Sequence, residues 1–223
     1  MPEDFILCDF RIAIDTREQA PWSFTGFRAD AAQGRKPLII QTVTTTLASG
    51  DYSIDGLEAE VSIERKSVAD FYGTILAERE RFERELTRLQ AMCDAGGHAE
   101  IVCEGDWFTE GPPLLRGEQS DVACIDCGGL GSLDSGGQNP WGGFIDVPCG
   151  RCNGTGVIVG MSDEQKRKRA AKRKVVFRSV IAWRQRFPLV HWERMPSRRE
   201  AEQYAFRVLE RFWNERVKRL KAQ

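Results

Sequence analysis

Residues Ile63 to Asp70 read Ile-Glu-Arg-Lys-Ser-Val-Ala-Asp, and the Glu-x-Lys inside them constrains this chain more than any other feature. On a strand, side chains at i and i+2 leave the same face. Glu64 and Lys66 are therefore expected to point together, with Arg65 on the opposite side. A carboxylate beside an ammonium fills a core poorly, because buried charge is costly unless it is paired or used. The pair suits work on a phosphodiester: the carboxylate holds a divalent metal, and the lysine steadies an attacking water or the developing negative charge.

A metal site needs further oxygen ligands, and the chain supplies carboxylates upstream. Asp51, in Ser49-Gly50-Asp51-Tyr52, sits at a glycine turn that opens a second short strand. A hairpin with its turn around Gly56 brings Asp51 alongside Glu64. Further back, Ile12-Ala13-Ile14-Asp15-Thr16-Arg17-Glu18 is an apolar alternating strand running into a charged cluster. Mg²⁺ is often bound by one or two carboxylates plus water and substrate phosphate. Asp51 and Glu64 meet that requirement, and Asp15, Glu18 and Asp70 are placed as an acidic second tier.

Asp-x-Arg-Glu at 15–18, Gly-Asp at 50–51 and Glu-Arg-Lys-x-x-x-Asp at 64–70 stand in the order found in the XPF-type structure-specific endonucleases, which this chain resembles. The resemblance implies an α/β fold: a restriction-endonuclease-like mixed sheet flanked by helices, cutting branched or flap DNA with Mg²⁺ or Mn²⁺. It makes Asp51 and Glu64 metal ligands, with the Arg65 carbonyl as a further candidate, and Lys66 the catalytic cation. It places Asp15, Arg17, Glu18 and Asp70 around the site, and it makes a homodimer an expected state. The competing readings are a surface salt-bridge array and a decayed nuclease kept for binding DNA.

The net charge of −1 conceals a division: residues 1–160 carry −13 and residues 161–223 carry +12. The acidic part contains the proposed metal site, and the basic part offers partners for phosphates. No run approaches the roughly 18 apolar residues of a membrane span, and the acidic N-terminus is unlike a secretory signal. Seven cysteines, an odd number, suit a reducing compartment better than a disulfide framework. The expected location is intracellular, cytoplasmic or nucleoid-associated.

The order of elements predicts a nuclease core interrupted once. Ser67 to about Cys93 is expected to be one long helix with Phe71, Ile75, Phe82, Leu86 and Leu89 on its apolar face, ended by Gly96-Gly97. Ala99 to Gly105 follows as a buried strand. Val175 to Phe187 is expected as helix and Pro188 to Trp192 as strand. Ser197-Arg198-Arg199-Glu200 is a capping box, opening a helix with Ala201, Ala205, Val208, Leu209 and Phe212 on one face. The expected divisions are 8–110 for the motif-bearing part of the core, 111–160 for an insertion, and 161–223 for a basic helix and the completion of the core.

Within the insertion, Cys124-Ile125-Asp126-Cys127-Gly128-Gly129-Leu130-Gly131 and Cys149-Gly150-Arg151-Cys152-Asn153-Gly154-Thr155-Gly156 are two copies of Cys-x-x-Cys-x-Gly-x-Gly. Four thiolates, from Cys124, Cys127, Cys149 and Cys152, suit one tetrahedral Zn²⁺ in a small zinc ribbon. The repeat resembles the cysteine-rich module of DnaJ-type chaperones, which has four copies and two metals. The zinc either folds a glycine-rich loop and nothing more, or presents a ribbon to DNA or a partner. Cys8, Cys93 and Cys103 are expected to be core or incidental residues.

After the ribbon, Ser162-Asp163-Glu164-Gln165 opens a helix carrying Lys166, Arg167, Lys168, Arg169, Lys172, Arg173 and Lys174, seven positive charges in nine residues. Phosphate contact, independent of base sequence, is the expected role; an ordinary solvated helix is the alternative. His98 and His191 are the only histidines, far apart in the chain and outside the motifs. That disfavours histidine-based nucleases, and the lack of a Gly-x-x-x-x-Gly-Lys-Ser/Thr loop disfavours a nucleotide cofactor. The tandem helix-hairpin-helix module of many XPF-type proteins is not recognisable. The sequence thus predicts a metal-dependent endonuclease acting on branched or partly single-stranded DNA. Its rival is a non-catalytic, zinc-containing DNA-binding or scaffold protein on the same fold.

Overall fold

The computed structural model describes residues 4–107, 112, 120–123, 132–138, 144–148, 157–160 and 163–222. The chain divides into two compact units, Met1–Pro113 with Lys172–Gln223, and Leu114–Ala171.

The first unit is built on a seven-stranded mixed sheet. Its strands are β1 (Ile6–Asp15), β2 (Phe27–Arg28), β3 (Pro37–Thr45), β4 (Tyr52–Ile54), β5 (Val61–Ser67), β6 (His98–Glu104) and β11 (Val190–Met195), in the order β11-β6-β5-β4-β1-β3-β2. β5, β6 and β11 run parallel to one another, as do β1 and β3, while β4 lies antiparallel between β1 and β5. The α/β fold class expected from the sequence is the one observed. β2 and β3 were not foreseen, although Pro37–Thr45 is rich in the β-branched residues that favour a pleated, half-buried surface.

Both faces of the sheet are covered. Helices α1 (Val68–Ala77) and α2 (Arg79–Asp94) pack with part of α3 (Asp163–Arg186) on the face made by Ala99, Ile101 and Cys103. Helix α4 (Arg198–Lys221) covers the other face over Ile12, Ile54, Ile63 and Val102. Cys103 lies in the first of these cores, and Cys8 and Cys93 are half-buried.

The long helix expected over Ser67 to Cys93 is two helices. Glu78 leaves the helical region at φ −117° and ψ 30°, although its N–H still reaches Thr74 O, and α2 restarts as Phe82 N–H bonds Glu78 O. No glycine or proline marks the break; tertiary contacts hold it. Arg79 donates to Ser179 Oγ at 2.7 Å and lies over the Trp183 ring. The five expected apolar positions, Phe71, Ile75, Phe82, Leu86 and Leu89, are all buried, split between the two helices. Gly96, at φ 92°, ends α2 as its N–H bonds Cys93 O. The two helical stretches read around residues 163–174 and 175–187 form the single helix α3.

At the start of α4, Ser197 Oγ accepts the Glu200 N–H at 3.3 Å, so Ser197 caps the helix. It also donates to the Glu200 carboxylate at 2.9 Å, a bond to the hydroxyl in place of the backbone bond of a full capping box. One turn further on, Glu202 is buried and accepts from the Phe24 N–H, from Ser23 Oγ at 3.1 Å and from Arg199 at 2.8 Å. Phe24 holds a left-handed φ of 51°, a strained choice for a bulky residue that this bond helps to fix.

In the second unit, β7 (Ser120–Ala123) pairs antiparallel with β10 (Val157–Gly160), and β8 (Ser132–Gln138) with β9 (Phe144–Pro148). In sequence, Cys124 and Cys127 follow β7, and Cys149 and Cys152 follow β9. All four cysteines lie outside the described residues. Among the described residues, no helix is long and apolar enough to cross a membrane.

Replacing Glu202 by Ala leaves the buried Phe24 N–H without its acceptor. Urea denaturation should show a loss of about 1–3 kcal/mol, with Glu202→Gln, which keeps an acceptor oxygen, losing less.

Candidate active site

The site begins with alternation along β5. Glu64 pairs in register with Ile101 and Lys66 with Cys103, so both side chains rise on the face covered by α1 and α2. Lys66 Nζ donates to Glu64 Oε1 at 2.5 Å and lies 5.4 Å from the centre of the Phe82 ring. Arg65 turns to the other face, where Glu104 at the end of β6 accepts from its Nε at 2.7 Å and its Nη2 at 2.8 Å.

Asp51 is held between two strands. Its N–H donates to Ile63 O at 2.8 Å, and its own carbonyl accepts the Asp15 N–H at 2.9 Å. Its carboxylate accepts the Arg65 N–H at 2.7 Å, which turns it towards β5. Asp51, Glu64 and Lys66 then share a cleft of about 650 Å³, whose walls include Arg17, Glu18, Asp70, Arg81 and Glu85.

Charge in this cleft is out of balance. Burial, and then the neighbouring Glu64 carboxylate, push the Asp51 carboxyl up to about 8. Burial likewise raises Glu64, against the pull of Lys66. Burial opposes the charge on Lys66 too, but the Glu64 carboxylate outweighs it and holds the ammonium above lysine's ordinary value. Two desolvated carboxylates thus share one close cation. An oxygen-preferring divalent ion, which often takes only one or two carboxylates and keeps its waters, fits such a donor set. No group of three or more His, Cys, Asp or Glu side chains is gathered for a metal among the described residues.

The other motif residues do different work. Asp15 is 2% exposed, and its carboxylate is taken up by the Arg17 N–H and guanidinium, at 2.7–2.8 Å, and by the Leu47 N–H at 2.7 Å. Burial alone would raise this carboxyl, but those donors hold it below its usual range. Asp15 is thereby spent on Arg17 and on Leu47, just after β3, and it does not line the cleft. Glu18 accepts from Arg65 at 3.3 Å and from the Ala20 N–H at 2.7 Å. Asp70 is bonded to the Ser67 hydroxyl at the start of α1, as a cap.

Sequence reasoning did not single out Glu85 or Glu104. Glu85 lies in a run of alternating charge on α2 that looks like ordinary helix surface, yet it faces the cleft. Glu104 receives Arg65, Trp22 Nε1 at 2.6 Å and Arg198 at 3.0 Å. Burial disfavours its charge, but these donors hold its carboxyl low. His98 and His191, remote in sequence, stack with ring centres 5.0 Å apart on neighbouring strands, and neither lines the cleft. Of the basic stretch, Lys166, Arg167, Lys168, Arg173 and Lys174 are exposed while Arg169 and Lys172 are half-buried, and Lys168 pairs with Glu164 at 2.8 Å.

Asp51 holds its proton more tightly folded than unfolded. Its contribution to stability is therefore fully present below its ordinary value of 3.8 and is lost as pH rises through about 8. Without divalent ions, the Tm of the wild type should fall across that window relative to Asp51→Asn, which has no such proton to lose. Mg²⁺ or Mn²⁺ should raise the wild-type Tm more towards the upper end of the window than the lower. Thermal unfolding over a pH series, with and without chelator, measures both.

Residues 14–113 match the family model of the ERCC4 domain. No curated protein matches the chain. Among solved structures, XPF from Aeropyrum pernix in complex with DNA is similar at 14% identity and a TM-score of 0.45, over 94% of this chain and 66% of that one. A second structure, XPF from Aeropyrum pernix, is similar at 15% identity and a TM-score of 0.44, over 95% of this chain and 67% of that one. This chain thus spans about two thirds of the length of those proteins. Its similarity to the ERCC4 domain rests on the segment that carries all the motif residues from Asp15 to Asp70.

Proposed function

We propose that the chain is a divalent-metal-dependent endodeoxyribonuclease that hydrolyses phosphodiester bonds in branched, flap or forked DNA during replication, repair or recombination. The observation that carries this reading is the cleft in which Asp51 and Glu64 share a single close cation, Lys66, within a segment similar to the ERCC4 domain. Asp51 and Glu64, with the Arg65 carbonyl, would hold Mg²⁺ or Mn²⁺. Bound there, the ion would supply charge against the scissile phosphate and lower the pKa of a water.

The chain's own groups do the rest. The Arg65 N–H fixes the Asp51 carboxylate, and Glu104 keeps the Arg65 side chain on the far face, away from the reacting phosphate. Lys66, pinned by Glu64, orients the attacking water or offsets negative charge as the phosphorus–oxygen bond to the leaving strand breaks. Arg17, anchored by Asp15 on the cleft wall, is placed to meet a flanking phosphate. Glu18 and Asp70 shape the entrance through their bonds to Arg65 and Ser67.

The outlying elements belong to the same reading. Residues 8–110 and 161–223 form the nuclease core with its basic helix, and residues 111–160 a ribbon folded on one Zn²⁺ by Cys124, Cys127, Cys149 and Cys152. Lys166, Arg167, Lys168, Arg169, Lys172, Arg173 and Lys174 contact DNA phosphates. Two copies pair as a homodimer, and the protein works inside the cell, in cytoplasm or nucleoid.

Labelled duplex, flap, fork and four-way DNA, incubated with Mg²⁺ or Mn²⁺, test the reading. Cleavage should depend on DNA structure and be lost in Asp51→Ala, and Lys66→Ala should slow it by about 10²–10³-fold. Binding without cutting under every metal condition, unchanged by either substitution, would leave a non-catalytic DNA-binding or scaffold protein.

A further inference from the structure

Helix α2 grips the turn that carries Asp51. The Gly50 N–H donates to Glu85 Oε1 at 3.0 Å, and Arg88 Nε donates to Ser49 Oγ at 3.1 Å. Arg88 also pairs with the other oxygen of Glu85, so two residues one helical turn apart, bonded to each other, join the helix to Ser49 and Gly50. From the opposite side, β5 closes the same turn. Ser62 Oγ donates to Ser49 O at 3.1 Å, and the Asp51 N–H donates to Ile63 O at 2.8 Å.

Gly50 holds φ at +73°, and a Cβ there would lie 2.1 Å from Ser62 Oγ and 3.0 Å from Ile63 O. The turn therefore has no slack towards the strand, and its place is set by what α2 offers from above. The helix is a firm support. Leu86 and Leu89 are fully buried, and Glu83 accepts from Trp183 Nε1 at 2.9 Å and from Arg186 at 3.0 Å. Both oxygens of Glu85 are already engaged by Gly50 and Arg88, which suits a bracket better than a ligand.

We propose that Glu85, braced by Arg88, is a positioning residue: its acceptance of the Gly50 N–H sets the Asp51 carboxylate where a divalent cation can be held, and so sets the affinity of the cleft for that ion. This rests on Asp51 and Glu64 being the metal ligands. Outer partners that orient ligating groups govern affinity about 10–100-fold. The role belongs to the acceptor oxygen, so glutamine can fill it and alanine cannot.

The experiment is calorimetric titration of Mn²⁺ into the full chain, without DNA, for wild type, Asp51→Ala, Glu85→Ala, Glu85→Gln and Arg88→Ala, with circular dichroism to check folding. The expected result is a loss of Mn²⁺ binding in Asp51→Ala and a drop of about 10–100-fold in affinity, at unchanged stoichiometry, in Glu85→Ala. Glu85→Gln should stay near wild type, and Arg88→Ala, which removes the brace but keeps the acceptor, should fall between. Wild-type affinity in a folded Glu85→Ala, or equal losses in Glu85→Ala and Glu85→Gln, overturns the positioning role. Should Glu85→Ala not fold, Arg88→Ala decides: weakened Mn²⁺ binding sustains the proposal, and wild-type binding ends it. Mn²⁺ binding that survives in Asp51→Ala instead overturns the metal-site reading itself, a result the Glu85 variants alone cannot mimic.

Discussion

Alternation along β5 is the constraint on which the rest depends. One strand sends Glu64 and Lys66 to one face of the sheet and Arg65 to the other, so three consecutive charges enter two different environments. Each had to be met by partners from elsewhere in the chain, because a buried charge without a partner costs several kcal/mol. Arg65 is met by Glu104 and Glu18, which draws the end of β6 and the loop after β1 together beneath the sheet. Among the described residues Glu64 takes its side-chain hydrogen bond from Lys66, and Asp51 stands beside it, accepting a backbone N–H. The far face is balanced and the near face is not, and on the proposed reading it is the unbalanced face that does the chemistry.

That division explains why Trp22 and Arg198 converge on Glu104. The carboxylate accepts from three side chains on three separate segments, so the start of α4, the 16–22 loop and the end of β5 share one anchor. Trp22 also stacks on Tyr52 with ring centres 4.5 Å apart, and its backbone N–H donates to the Tyr52 hydroxyl. Tyr52, the residue next to Asp51, is thus packed on the same Trp22 side chain that donates to Glu104.

Much of this could be read from the chain, and the reasons for the remainder are physical. The period-two placement of Glu64 and Lys66, the apolar spacing of Phe82, Leu86 and Leu89, and the Ser197 cap are local signals, and local geometry follows from them. The break at Glu78 has no local signal because Arg79, Ser179 and Trp183 hold it from outside the segment. Asp15 reads as a site carboxylate because the sequence shows its charge but not the four hydrogen bonds that consume it. Glu85 reads as helix surface because its partner, the Gly50 N–H, is a backbone group that no residue pattern advertises.

Gly50 carries a consequence for how such a chain can drift. Two independent restrictions fall on this one position: a left-handed backbone, and a floor formed by Ser62 and the Ile63 carbonyl. Trimming Ser62 relieves only part of the second, since the carbonyl stays, and does nothing for the first. No single compensating change elsewhere can make room for a side chain there. A lineage descending from this sequence is therefore free to reshape its helices and loops, but it must pass glycine on at this position for as long as the turn keeps its present form.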